Sequence, residues 1–132
     1  MGLGKSLQAL MTIDFYHEEL PCLIVCPSSL RFGWRDQALK WLGESGTGLI
    51  ARCATGKDKL DPAAKVVVCS FDLLKTEKFR RAHDGERYRV VVVDESQFIK
   101  SAKSDRTKRV TEICDGAHRV MLLSGTPALN KA

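Results

Sequence analysis

Val90-Val91-Val92-Val93-Asp94-Glu95-Ser96-Gln97 is the stretch on which the fold turns. Four β-branched residues in a row suit a strand buried on both faces, because a strand wetted on one side would alternate apolar with polar residues. Two adjacent carboxylates follow where the apolar run stops. In open parallel sheets ligands bind beyond the carboxyl ends of the strands, so Asp94 and Glu95 stand where work on a bound ligand would be done. Taken alone, they could equally cap the loop that leaves the strand.

Working outward, the apolar runs Cys22–Cys26, 49–53, 66–70 and 119–123 read as further strands, with segments of helical character between them. Residues 5 to about 19 carry Leu7, Leu10, Met11 and Phe15 at three- and four-residue spacing, and Pro21 closes that helix. Residues 31 to about 42 form an amphipathic helix ending at Gly43, whose aromatics Phe32, Trp34 and Trp41 read as core. Residues 71 to about 81 read as a basic helix before an Asp84-Gly85 turn, and residues 106–114 as a polar helix. Apolar strands separated by helices specify an α/β fold, a parallel sheet with helices on both faces.

The 132 residues, 44% of them hydrophobic, suffice for one domain with a core and not for two. A formal charge of +5, from 21 Lys and Arg against 16 acidic residues, suits a polyanionic partner without requiring one. The basic run Lys75, Lys78, Arg80 and Arg81 reads as a solvated face, and Lys100, Lys103, Arg106, Lys108 and Arg109 as the better candidates to face DNA. The longest apolar runs are far too short to span a membrane, so a soluble intracellular protein is expected. The five cysteines are an odd set without a C-x-x-C pair, which points to small buried thiols in a reducing compartment. His17, His83 and His118 show no metal-ligand spacing.

Gly2-Leu3-Gly4-Lys5-Ser6 stands directly before the first helix. Such glycines let backbone N–H groups close on phosphates at a helix N-terminus, a lysine adds positive charge there, and a serine hydroxyl can ligate Mg²⁺. Gly and Ser before a helix also make an ordinary cap. Leu123-Ser124-Gly125-Thr126-Pro127 follows the last strand, where hydroxyls could hydrogen-bond the acidic motif; alone it is a turn. The order of the three elements, each at a strand or helix end of one α/β pattern, is what separates them from chance. A small P-loop kinase would carry a lid of arginines and an acceptor-base residue instead of Ser-Gly-Thr-Pro.

The whole chain resembles the first RecA-like lobe of superfamily two helicases, and within them the Swi/Snf-related DNA translocases. Met1 to Ser6 resembles their motif I, Cys26 to Trp34 motif Ia, Cys69 to Leu74 motif Ib, Asp94 to Gln97 motif II and Leu123 to Leu129 motif III. Phe15-Tyr16, the segment from Leu23 to Arg31, Lys40-Trp41-Leu42 and Thr55 to Asp58 are most similar to the annealing-helicase, HepA-related branch. The resemblance implies a RecA-like P-loop NTPase lobe in which Gly2, Leu3, Gly4, Lys5 and Ser6 bind ATP. It also implies that Ser6 and Asp94 hold Mg²⁺, that Glu95 polarises the attacking water, and that Ser124, Gly125 and Thr126 couple hydrolysis to movement. Ser28, Ser29, Arg31 and Ser70 would contact the DNA backbone.

Two departures bear on these expectations. The family usually has His where this chain has Gln97, which can hydrogen-bond but cannot become charged, so coupling to motif III is the affected step. The resemblance also implies a strand and an acidic pair ahead of Gly2 and a second motor lobe bearing an arginine, so the chain reads as a lobe truncated at both ends and inactive alone. The expected function is an ATP-dependent DNA translocase or annealing-helicase motor lobe, nuclear if eukaryotic, serving fork remodelling, DNA repair or chromatin remodelling. The alternative is a catalytically inactive lobe that binds DNA or a partner.

Overall fold

The computed structural model describes residues 3–19, 21–42, 50–53, 64–75, 80–81, 86–94 and 105–123. In chain order the elements are α1 (Leu3–Phe15), β1 (Cys22–Cys26), α2 (Arg31–Leu42), β2 (Ile50–Cys53), β3 (Ala64–Ser70), β4 (Val90–Val93), α3 (Asp105–Asp115) and β5 (Arg119–Leu122). The five strands form one sheet in the order β2-β3-β1-β4-β5. Every pairing is parallel, with Cys22 to Cys26 opposite Val66 to Ser70 on one side and Cys22 to Val25 opposite Val90 to Val93 on the other. This is the α/β parallel sheet expected from the apolar runs.

Alternate side chains along the central strands supply two separate cores, as the two-residue period of a strand requires. Cys22, Ile24, Cys26, Val66, Val68, Val90 and Val92 pack under α1 and α2 through Ala9, Leu10, Ile13, Trp34 and Ala38. Leu23, Val25, Val67, Cys69, Val91 and Val93 pack on the other face with Leu74, Tyr88 and, from α3, Val110 and Ile113. The sheet thus has helices on both faces, and β1, β3 and β4 are buried throughout their apolar length. β5 is an outer strand; Val120 and Leu122, on the α3 face opposite Val91 and Val93, are 39% and 58% exposed.

Three local expectations are corrected. The apolar stripe on α1 that faces the sheet is Ala9, Leu10 and Ile13, whereas Met11 and Phe15 are 63% and 75% exposed. Both stripes have helical spacing and share Leu10, so the period alone does not choose between them. Of the three aromatics on α2 only Trp34 joins the core; Phe32 and Trp41 face outward, Phe32 beneath the guanidinium of Arg35 at 4.9 Å and Trp41 donating to Gln37 Oε1 at 2.9 Å. Residues 72–75, expected in an α-helix, form a single 3-10 turn, Asp72–Lys75. Its carbonyls are met by Arg80, whose Nε donates to Leu74 O at 2.7 Å and whose Nη2 donates to Lys75 O at 3.2 Å. That arginine holds a turn in place, which no periodicity in the sequence announces.

At the amino ends of the strands, α1 is fastened to the start of β5. The Arg119 guanidinium lies 3.7 Å from the Tyr16 ring centroid, and its Nε is 3.3 Å from Glu19 Oε1. A cation over an aromatic face, partly desolvated and paired with a carboxylate, is worth about 1–2 kcal/mol.

Candidate functional site

Parallel pairing with aligned register brings the carboxyl ends of the strands to one edge, and the backbone extends that alignment beyond them. Asp94 N–H donates to Val25 O at 2.8 Å, Phe71 N–H to Cys26 O at 3.2 Å and Leu123 N–H to Val93 O at 2.8 Å. Asp94, Ser70 and the segment after Cys26 are therefore neighbours on this edge. Since α1 is fastened by Tyr16 at the opposite end and packs along the sheet, its 13 residues, about 20 Å at 1.5 Å each, carry its first turn toward the same edge. The backbone at Lys5 and Ser6 belongs to that first turn, the helix starting at Leu3.

Asp94 is half-buried at the end of β4. Its Oδ2 accepts a hydrogen bond of 2.7 Å from the indole Nε1–H of Trp34, which is itself 4% exposed. The length is at the short end of the N–H···O range. The sequence had placed Trp34 in the core without a polar role; the available signal was that a buried indole N–H requires an acceptor. A carboxylate oxygen is the hard donor that Mg²⁺ prefers, and Mg²⁺ sites on nucleotides use only one or two carboxylates beside the phosphates, so Asp94 fits that ion.

The residues expected to meet DNA lie on the same edge in unequal settings. Ser28 and Ser29 are exposed in a 3-10 turn, Ser28–Leu30, that joins β1 to α2. Arg31 Nε donates to Ser28 O at 3.0 Å, which fixes the guanidinium over this turn. Ser70 is 5% exposed, and its Oγ accepts the Leu73 N–H at 3.3 Å, capping the next turn. An accepting hydroxyl can still donate its own proton, so that bond does not exclude a phosphate. Burial pushes the adjacent Cys69 thiol up to about 12, with the positive charge of Arg31 pulling the other way. Gly2, Glu95, Gln97, Ser124, Gly125 and Thr126 lie outside the described residues, as do Lys100 and Lys103.

A parallel sheet sandwiched by helices, with a half-buried aspartate, exposed hydroxyls and a helix start at its carboxyl edge, defines the class as a RecA-like lobe. The SNF2-related domain matches residues 1–132, and the chain belongs to that family. It is 39% identical over 132 residues to the Xenopus laevis SWI/SNF-related matrix-associated actin-dependent regulator of chromatin subfamily A-like protein 1, covering 99% of this chain and 13% of that protein. It is 40% identical over 135 residues to the Mus musculus DNA annealing helicase and endonuclease ZRANB3, covering 99% of this chain and 12% of that protein. The chain thus spans about an eighth of the length of these curated relatives.

Among solved structures, the Sulfolobus solfataricus SWI2/SNF2 ATPase core in complex with dsDNA superposes with a TM-score of 0.79 at 25% identity, covering 99% of this chain and 27% of that one. The DUF1998 helicase MrfA bound to DNA and AMPPNP shares the fold, with a TM-score of 0.60 at 18% identity over 88% of this chain and 19% of that one. The resemblance to Swi/Snf-related proteins read from the motifs agrees with these findings.

Proposed function

We propose that this chain is the ATP-binding lobe of a DNA-dependent ATPase that moves on or remodels DNA, as the names of its annealing-helicase relatives suggest for them. The observation that carries this reading is the shared edge. The aspartate at the end of β4 and the exposed hydroxyls after β1 share the carboxyl edge where a parallel sheet receives its ligand, and α1 runs with its first turn toward that edge.

In this reading Gly2, Leu3, Gly4 and Lys5 receive the phosphates of ATP, and Ser6 and Asp94 hold Mg²⁺. The ion supplies charge neutralisation between the β- and γ-phosphates when bound. Glu95 orients and polarises the attacking water, while Ser124, Gly125 and Thr126, with Gln97, relay the state of the γ-phosphate. Ser28, Ser29, Arg31 and Ser70 grip the DNA backbone, and a second lobe contributes the arginine that offsets charge on the phosphoryl group in transfer. The setting that suits these roles is nuclear DNA repair, fork remodelling or chromatin remodelling.

The test is ATP hydrolysis by the intact gene product with and without DNA, compared with Lys5→Ala. DNA-stimulated turnover that disappears in the variant, with DNA affinity kept within about twofold, is the expected result, because the lysine acts on phosphates of the nucleotide. Equal rates in the two proteins would remove Lys5 from the site. DNA binding by the wild type without any turnover would assign the lobe to a holding module.

A further inference from the structure

We infer that Trp34 is a positioning residue for Asp94, fixing the orientation of the carboxylate that would hold Mg²⁺; the inference rests on the nucleotide-site reading above. The indole is buried in the core under α1 and α2, yet its one polar atom emerges at the carboxyl end of β4 and bonds Oδ2 at 2.7 Å. The main chain of Asp94 is held from β1 by the bond to Val25 O at 2.8 Å. Backbone and side chain are thus anchored from two different elements.

An indole N–H donates and never accepts, so it fixes a carboxylate without competing for a cation. Phenylalanine would fill most of the same apolar space and supply no donor. Trp41 provides the contrast on the same helix: it is exposed and donates to Gln37, one turn away, in an arrangement that needs no other element. Trp34 instead reaches 60 residues along the chain to the carboxylate of the acidic motif. Groups that orient a metal ligand from behind change metal affinity or activity by about 10–100-fold when removed.

The experiment measures ADP binding to the intact gene product by calorimetry, in EDTA and across a Mg²⁺ series, for wild type, Trp34→Phe, Asp94→Ala and the double variant. Trp34→Phe should reduce the gain in ADP affinity that Mg²⁺ brings by about tenfold, leave metal-free ADP affinity unchanged, and cause no further loss in the Asp94→Ala background. A full Mg²⁺ gain in Trp34→Phe overturns the inference. So does an equal loss with and without the metal, which is what a merely structural tryptophan would give.

A second measurement needs no change at position 34. In ¹⁵N-tryptophan-labelled protein the Trp34 indole resonance should move upfield in Asp94→Ala, and a resonance that stays in place overturns the assignment. An intact Mg²⁺ gain in Asp94→Ala would instead remove Asp94 from the metal site, and the proposed function with it.

Discussion

Trp34 and Asp94 stand 60 residues apart in sequence and 2.7 Å apart in space, the indole N–H of one on Oδ2 of the other. The bond joins the helix that follows the exposed serine turn to the strand that ends in the acidic motif. Positions read separately as core and as chemistry are in contact.

The choice of apolar stripe on α1 gives a direct stability test. Leu10 and Ile13 are fully buried, so Leu10→Ala should cost about 2–5 kcal/mol, whereas Met11→Ala, at an exposed position, should stay within about 0.5 kcal/mol. Urea midpoints of the lobe check both. Equal losses would mean that the helix presents its other face to the sheet.

Glu95→Gln should retain nucleotide binding while lowering turnover by about a hundredfold or more, since it removes only the group that polarises water. Single-turnover hydrolysis beside ADP affinity separates the two effects. Binding that falls as far as turnover would make Glu95 a structural group.

DNA affinity of the intact gene product should fall steeply with salt and vary little with base sequence, as expected for contacts to phosphates. Arg31 is held over the exposed Ser28–Leu30 turn by its bond to Ser28 O, so Arg31→Ala should lower the slope of log affinity against log salt by about 1. An unchanged slope would take Arg31 off the DNA.

The buried thiols predict the alkaline limit of the fold. Burial raises Cys22 and Cys69 from 9.0 to about 12. Between those values an unfolded chain releases protons that the folded chain keeps. The stability these thiols allow is therefore complete below about pH 9 and declines as pH rises toward 12, by about 1.4 kcal/mol per pH unit for each. Denaturant titrations of Cys22→Ala at pH 8 and pH 10.5 should show a shallower decline than wild type, and parallel declines would contradict the assignment.

The strands were legible because apolar runs rich in β-branched residues suit burial on both faces, and Cys22–Cys26 and Val90–Val93 lie where the apolar pattern puts them. Helix faces were less legible. On α1 two stripes share the helical period and Leu10 itself, so the period does not decide between them. Phe32 and Trp41 look like core by composition, but a helix lying on a sheet buries one side, and Trp34 and Ala38 occupy it. The partnership of Trp34 with Asp94 was out of reach because it depends on two elements meeting, a relation that spacing along one element does not carry.

The four valines of β4 have a consequence of their own. A strand made of one residue type is degenerate in its interior: moved by one step it would still offer valine at three of its four positions, and only the residue brought in from either end, Arg89 or Asp94, would differ. Such a step would still carry Asp94 about 3.3 Å along the sheet and turn it to the opposite face. What distinguishes the correct alignment from its neighbours is stored at the two ends of the run, in Tyr88 buried before it and in Asp94 held by Trp34 after it. The bond that aims the carboxylate is also the mark by which an otherwise featureless strand finds its place.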